Sequence, residues 1–424
     1  MSAGGQGARI CACHECGLVQ RTVALEPGSA AWCVRCGSRL YALHRSGLQG
    51  VLAFYLGALI LFIVANSFTF MVMKLEGQAQ EMEPISAAIA LWNAEMPALA
   101  VVVFCASVLM PGLKILLSLW VLLPAAAGRL PPFPRASMRL LDLLRPWAMM
   151  EVFLLGALVA YVKLGDLATL QFGVSAIAFV GAIVCMAAAD AGFDQQFVWR
   201  LFGPQATTAM IPPAPGTRLC ACHECGQITP MAVATGEPAH CPRCGAHLHF
   251  RKPNSLNRAW ALLLTAIVLY IPANIFPVMT VIYFGQGAPS TIISGVVELA
   301  EGGMWPLALL VFFASILVPM LKIIGLTYLL ISIQTASVNR PRDRTRLYRI
   351  VESVGRWSMI DVFMIGILTA LVKLGAIATI EPGVGAVAFC GVVIVTMLAA
   401  MALDPRLLWD AHDAQPGREE IVRA

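Results

Sequence analysis

The sequence predicts an all-α polytopic membrane protein made of two tandem parallel repeats, each a small Cys-rich head followed by about four transmembrane helices. Three observations carry this prediction. The 424-residue chain is 59% hydrophobic and only 12% charged. Four stretches, 46–73, 167–189, 259–297 and 382–403, contain no Asp, Glu, Lys or Arg, and each is long enough to cross a hydrocarbon core of roughly 30 Å as a helix. The hexapeptide CACHEC stands at 11–16 and again at 220–225.

The second half of the chain repeats the first. CACHECGLVQ matches CACHECGQIT, CVRCGSRL matches CPRCGAHL, and VFCASVLMPGLKI at 103–115 matches VFFASILVPMLKI at 311–323. WAMMEVFLLGALVAYVKLG at 147–165 matches WSMIDVFMIGILTALVKLG at 357–375. The expected division is a first head at 1–45, a first membrane unit at 46–205, a linker and second head at 206–253, a second membrane unit at 254–410 and a tail at 411–424. The Pro-, Ala- and Thr-rich run ATTAMIPPAPGT at 206–217 marks the join. Membrane helices are expected near 48–73, 97–123, 147–165 and 172–192, then near 257–284, 304–333, 357–375 and 383–403. The opening MSAGGQGARICAC has no apolar run before its first cysteines, so it is not expected to be a secretory leader.

Loop charge sets the expected orientation. Arg129, Arg135, Arg139 and Arg145 lie between the second and third helices, and Arg340, Arg342, Arg344, Arg346, Arg349 and Arg356 lie in the matching loop. The segments after each first helix are acidic, with Glu76, Glu81, Glu83 and Glu95 in one copy and Glu298 and Glu301 in the other. The positive-inside rule assigns the Arg loops to the cytoplasm. Four spans per copy then bring both heads and the N-terminus to that side. The net charge of +5 fits this loop bias, and neither head is basic enough to suggest a nucleic-acid partner.

In the heads, Cys13-x-x-Cys16 is followed after 16 residues by Cys33-x-x-Cys36, and Cys222-x-x-Cys225 after 15 residues by Cys241-x-x-Cys244. Each CxxC turn presents two thiolates to one ion, and two turns close a tetrahedron, so two structural zinc ions are expected. A segment of this length cannot bury a core of its own, which leaves the metal to supply folding free energy. Cys11 and Cys220 give each head a fifth thiol, so the choice of Cys13 and Cys222 as ligands rests on CxxC being the commoner turn. Four thiolates leave no open coordination position, so no catalysis is expected there. Cys105, Cys185 and Cys390 read as small core residues.

Polar residues recur at matching places inside the apolar segments: Asn66 and Asn274, Lys114 and Lys322, Glu151 and Asp361, Lys163 and Lys373. Such groups are costly in hydrocarbon unless paired or wetted. Two readings stay open for each. Lys163 and Lys373 can snorkel to headgroups, Glu151 and Asp361 can lie at the interface beside Trp147 and Trp357, and the Asn pair can be interhelical hydrogen-bond glue. Alternatively all eight line a polar transport cleft. Helix directions suggest the pairs Lys114–Glu151 and Lys322–Asp361.

These motifs resemble the paraquat-inducible protein A family over nearly the whole chain. ACHECGLVQ, CVRCG, ACHECGQIT and CPRCG are similar to its ribbon motifs, and the two W-x-M-x-[E/D]-V-F segments ending in VKL are similar to its transmembrane signature. The resemblance implies a bacterial inner-membrane protein that partners periplasmic tubes of mammalian-cell-entry (MCE) domains, moves phospholipid between membranes and supports the envelope barrier. The chain has no Walker A motif and no nucleophile or cofactor fingerprint, so an enzyme is not expected. Competing classes are an ion- or proton-coupled exporter of small toxic molecules and a membrane thiol or metal sensor.

Overall fold

The computed structural model describes residues 9–22, 25–26, 28–42, 47–75, 78–129, 131–165, 169–193, 198–199, 217–232, 239–283, 286–355, 357–372 and 378–414. Lys373 lies outside the described residues, as do 206–216 of the linker and 415–424 of the tail.

The first repeat opens with two hairpins, β1 (Arg9–Ala12) with β2 (Val19–Thr22) and β3 (Ala30–Trp32) with β4 (Arg39–Ala42). Helix α1 (Gly47–Ser67) follows, then strands β5 (Met71–Leu75) and β6 (Gln78–Met82) and a short α2 (Ser86–Asn93). The long α3 (Pro97–Ala126) leads through α4 (Pro134–Leu144) to α5 (Met150–Leu164), β7 (Thr169–Phe172) and α6 (Val174–Gly192). The second repeat runs in the same order. It comprises β8 (Thr217–Ala221), β9 (Ile228–Ala232), α7 (Ser255–Ile275), β10 (Met279–Tyr283), β11 (Gln286–Ser290), α8 (Ile292–Glu301) and α9 (Trp305–Gln334), then α10 (Pro341–Val354), α11 (Ile360–Leu371), β12 (Ala378–Pro382) and α12 (Val384–Ala402). A last helix, α13 (Leu407–Asp413), closes the described chain.

The membrane helices are apolar all round. On α1, Val51, Tyr55, Ala58, Phe62 and Ala65 form a buried stripe of helical spacing that packs along α6, while Phe54, Ile60 and Ile63 stay exposed. A helix buried on one stripe and apolar on the other faces lipid. The pair α7 and α12 repeats this contact in the second copy. Among the described residues, seven helical segments are long and apolar enough to cross a membrane.

The structure corrects two expectations. The fold is mostly helical but not all-α. Both heads are built on β-hairpins, and each repeat carries a three-stranded antiparallel sheet, in the orders β6-β5-β7 and β11-β10-β12. Residues 68–73 and 276–283 read as helix because a short apolar run has no periodicity that separates strand from helix. Pro277 ends the second of these helices, since the residue before a proline is pushed out of the α region. The third helices are also shorter than expected. At 15 and 12 residues, α5 and α11 span about 22 and 18 Å, short of a bilayer core. Every residue of α11 is buried in protein, so its short length exposes no backbone to lipid. The segment Pro341–Leu371 reaches membrane length only by running α10, a 3-10 turn at Trp357–Met359 and α11 in succession.

The two repeats meet where α5 crosses α11. A Cβ built on Gly156 would lie 2.9 Å from the Phe363 Cβ and 3.2 Å from the Ile360 carbonyl. Glycine is therefore required for this close approach. Phe153 meets Phe363 edge-on at 5.6 Å and Phe70 at 5.8 Å, which links the interface to the start of the first sheet.

In α3 and α9 a π-helical turn occupies the same place, Cys105–Leu109 and Phe313–Leu317. Pro111 and Pro319 cause it, because a proline inside a helix removes a donor and clashes with the carbonyl four residues back. The groups thus displaced find partners. Ser107 donates to the Val103 carbonyl and Ser315 to that of Val311, both at 2.7 Å, and the Met149 amide takes the Ala106 carbonyl at 3.3 Å.

The α5–α11 contact makes Gly156→Leu a specific probe. The added side chain overpacks the interface and should destabilise the protein by about 1–3 kcal/mol. Thermal melting in detergent should show the drop in Tm; an unchanged Tm would mean that the repeats do not meet at Gly156.

Candidate functional site

The eight predicted thiols come together as two buried groups, Cys13, Cys16, Cys33 and Cys36, and Cys222, Cys225, Cys241 and Cys244, with all sulfurs of a group within 4.8 Å of one another. Each CxxC closes a knuckle. The Cys13 amide donates to Leu18 O at 2.9 Å and the Gly17 amide to Cys13 O at 3.0 Å, and Cys33, Cys222 and Cys241 repeat the pattern. Gly17 and Gly226 sit at φ +72° and +68°, a conformation that disfavours any side chain. The Cys13–Cys36, Cys16–Cys33 and Cys225–Cys241 sulfurs are 3.5 Å apart, and those of Cys222 and Cys244 are 3.4 Å apart. A tetrahedral site with metal–sulfur bonds of about 2.3 Å has edges of about 3.8 Å. The donor set, its burial and its spacing therefore fit a closed four-thiolate metal centre.

The fifth thiols stand apart. Cys220 Sγ donates to the His249 carbonyl at 3.4 Å. Burial, reinforced by the nearby Cys33 charge, pushes the Cys11 thiol up to about 11, so it stays protonated at neutral pH. His223 contributes to docking. Burial, followed by the facing Arg406 cation, holds its imidazole down to about 4, and the neutral ring accepts a hydrogen bond from that guanidinium.

Each head docks on the opposite repeat. Glu15 of the first head pairs with Arg349 of α10 at 2.5 Å, and Arg349 also donates to the Cys36 carbonyl at 2.9 Å. Arg342 donates to the Arg35 carbonyl, while Arg35 pairs with Asp413 and lies over Trp409 at 4.2 Å. In the second head Glu224 pairs with Arg139 of α4 at 3.2 Å. Glu15 and Glu224 occupy equivalent places in CACHEC, and Arg139 and Arg349 each stand eight residues before the Trp of the membrane signature. The exchange is therefore symmetric. Arg406, clamped by both oxygens of Asp404 at 3.0 Å, meets His223 of one head, and its stem passes Gly17 of the other. The Arg-rich helices α4 and α10 thus lie at the same end of the bundle as the heads, and the sheets follow the far ends of α1 and α7.

Inside the bundle, the predicted charge pairs are replaced by others. Lys114 pairs with Asp190 of α6 at 2.5 Å rather than with Glu151, and Tyr55 donates to the same carboxylate at 2.7 Å. Glu151 is exposed. Lys322 donates to Thr396 of α12 at 2.8 Å and makes no ion pair with Asp361 among the described residues. Asn66 and Asn274 each donate to a carbonyl one turn back in their own helix, Phe62 O and Tyr270 O, both at 2.8 Å.

Lys163 and Asp361, assigned by sequence to different depths in different repeats, line one cavity. Its other walls come from the second sheet, α8, the π turn of α9, α11 and the first turns of α12, with Val278, Ile292, Val311, Met364 and Phe389 among them. Asp361 is 5% exposed and, among the described residues, neither carboxylate oxygen has a hydrogen bond. Ser315, which also lines the cavity, spends its hydroxyl proton on the Val311 carbonyl.

Paired four-thiol ribbons that could each hold a metal ion, on a repeated bundle of membrane-length helices with a cavity between its halves, define a multi-pass membrane protein with Cys-rich heads. A model of the paraquat-inducible protein A family matches residues 48–203 and 256–413. The chain is 36% identical to the intermembrane transport protein PqiA of Escherichia coli K12, over 94% of this chain and 95% of that one. It is 35% identical to the lipophilic envelope-spanning tunnel protein A of the same organism, over 67% of this chain and 64% of that one. It is 28% identical to a probable intermembrane transport protein of Haemophilus influenzae, over 96% and 97%. No solved structure matches. The chain belongs to the paraquat-inducible protein A family.

Two measurements check this geometry. Metal analysis should find two ions per chain in the parent, Cys11→Ser and Cys220→Ser proteins, and one in Cys36→Ser or Cys244→Ser; loss of an ion in Cys11→Ser would give that thiol a ligand role. Asp190→Ala strands the Lys114 ammonium and should cost about 2–3 kcal/mol, less than a fully buried pair because Asp190 is 34% exposed. Lys114→Met in the same chain should restore most of the melting temperature.

Proposed function

We propose that this chain is the inner-membrane subunit of an MCE-type intermembrane lipid transport system. It passes phospholipid to or from a periplasmic tube and so supports the envelope barrier. The observation that carries this reading is the cavity between the repeats, where apolar walls surround a buried carboxylate and a lysine. That combination suits an amphipathic molecule whose head needs polar partners while its tails stay in apolar surroundings. The names of the relatives, two for intermembrane transport and one for an envelope-spanning tunnel, support the same role.

In this reading the ribbons hold zinc, the ion that closed four-thiolate sites favour. The heads and the N-terminus face the cytoplasm, as the Arg content of α4 and α10 argues. The sheets at the other end of the bundle then face the periplasm and the tube. The protein acts without covalent chemistry on its cargo.

Deleting this chain, deleting its periplasmic MCE partner, and deleting both should sensitise cells equally to detergent and bulky antibiotics. Additive sensitivity would remove the shared-pathway reading. Asp361→Ala should approach the deletion phenotype at unchanged protein level, whereas Glu151→Ala, at an exposed position, should stay near the parent.

A further inference from the structure

The cavity has a charge arrangement that its own residues do not complete. Gly156 abuts Phe363 and Ile360, so Asp361 lies at the depth of Gly156. Lys163 is seven residues further along α5, about 10 Å of helix rise towards the sheet end. The carboxylate and the lysine stem therefore enter the cavity at different depths, Lys163 nearer the sheet end, and Ser290 and Thr291 line the same cavity. The two groups line one space without forming an ion pair among the described residues, although the charges of Asp361 and Glu298 both reach Lys163. Asp361 sits in the first turn of α11, where the helix dipole favours a negative charge. A carboxylate held out of water without a partner is destabilised, and a cationic ligand group removes that cost.

We propose that the cavity selects the zwitterionic, amine-bearing phospholipid headgroup, seating the ammonium on Asp361 and the phosphate near Lys163. An anionic lipid such as phosphatidylglycerol offers the phosphate but no cation, and leaves Asp361 as bare as before. The walls accept the glycerol and the first methylenes of the tails. Among the described residues the first repeat has no buried counterpart of Asp361, because Glu151 is exposed. This inference rests on the lipid-transport reading above.

The test is native mass spectrometry of the purified full chain, equilibrated with equimolar phosphatidylethanolamine and phosphatidylglycerol of matched tails. The parent protein should retain phosphatidylethanolamine at least fivefold over phosphatidylglycerol. Asp361→Asn should bring the ratio close to one, and Lys163→Gln should lower retention of both lipids. Equal retention by the parent, or an undiminished preference in Asp361→Asn, overturns the headgroup assignment and leaves lipid transport standing. Failure to retain any lipid overturns both. Displacement of the bound lipid by equimolar glycerophosphoethanolamine, which has no tails, would mean that the seat takes a soluble ligand and would overturn the lipid assignment.

Discussion

A charge withdrawn from water has to find an opposite charge, enough hydrogen bonds, or a ligand, and this protein gives a different answer at each buried ionisable group. Asp404 and Arg406 satisfy each other with paired hydrogen bonds and hold both heads against the bundle. Lys114 is neutralised by Asp190, which Tyr55 also holds. Lys322 has three donors and, among the described residues, one acceptor, Thr396. Neither carboxylate oxygen of Asp361 has a hydrogen bond among the described residues. The series runs from structural clamps to an incomplete site, and the incomplete end borders the cavity that Lys163 also lines. Buried pairs that are already complete contribute specificity of packing. An orphan carboxylate is retained at a cost that a bound molecule offsets.

The crossed docking of the heads gives the four-thiol clusters a role beyond their own hairpins. Each head grips the Arg-bearing helix of the other repeat through a carboxylate of its CACHEC knuckle. The contacts Glu15–Arg349 and Glu224–Arg139 are only half-buried, and such pairs contribute about 1 kcal/mol at most. Their effect comes from geometry. A knuckle held rigid by four thiolates presents its Glu in one place, and α4 and α10 lead directly into α5 and α11, the helices that meet at Gly156 and wall the cavity. The heads therefore brace the inter-repeat contact from one end while the aromatic contacts of Phe70, Phe153 and Phe363 brace it towards the other. Loss of one four-thiol cluster would loosen both repeats, because each head belongs in sequence to one and grips the Arg-bearing helix of the other.

Sequence reasoning located what is local. The clustering of the eight cysteines is legible because a CxxC turn carries its own geometry, and the membrane-length helices because apolar composition alone demands them. The strand–helix boundary after α1 and α7 was hidden, since an apolar strand and the end of an apolar helix look alike without periodicity. The partner of Lys114 was missed for a related reason. Glu151 and Asp190 stand on neighbouring helices, and the rotation of each helix about its axis decides which one faces the lysine. Asp190 did leave a signal, as the first charge after the uncharged run 167–189, with Ala400 at its place in the second repeat. The meeting of Lys163 with Asp361 had none, because it depends on the offset between α5 and α11, which the Gly156 contact sets.

That offset also explains how two repeats of nearly the same sequence acquire different roles. The shared plan places a Pro-induced π turn in α3 and in α9, a Lys five residues beyond its end, and an acid at the start of α5 and of α11. In the first repeat the Lys is closed off by Asp190 and the acid points outward. In the second, no carboxylate stands at the position of Asp190, and the acid turns inward beneath Lys163 of its neighbour. Substituting Ala for Asp at one place and burying a carboxylate at another is enough to convert a symmetric scaffold into one stabilised half and one receptive half. The lipid-transport reading proposed above needs that difference: a bundle with both halves neutralised would be sealed, and one with both halves incomplete would carry twice the cost of unpaired buried charge.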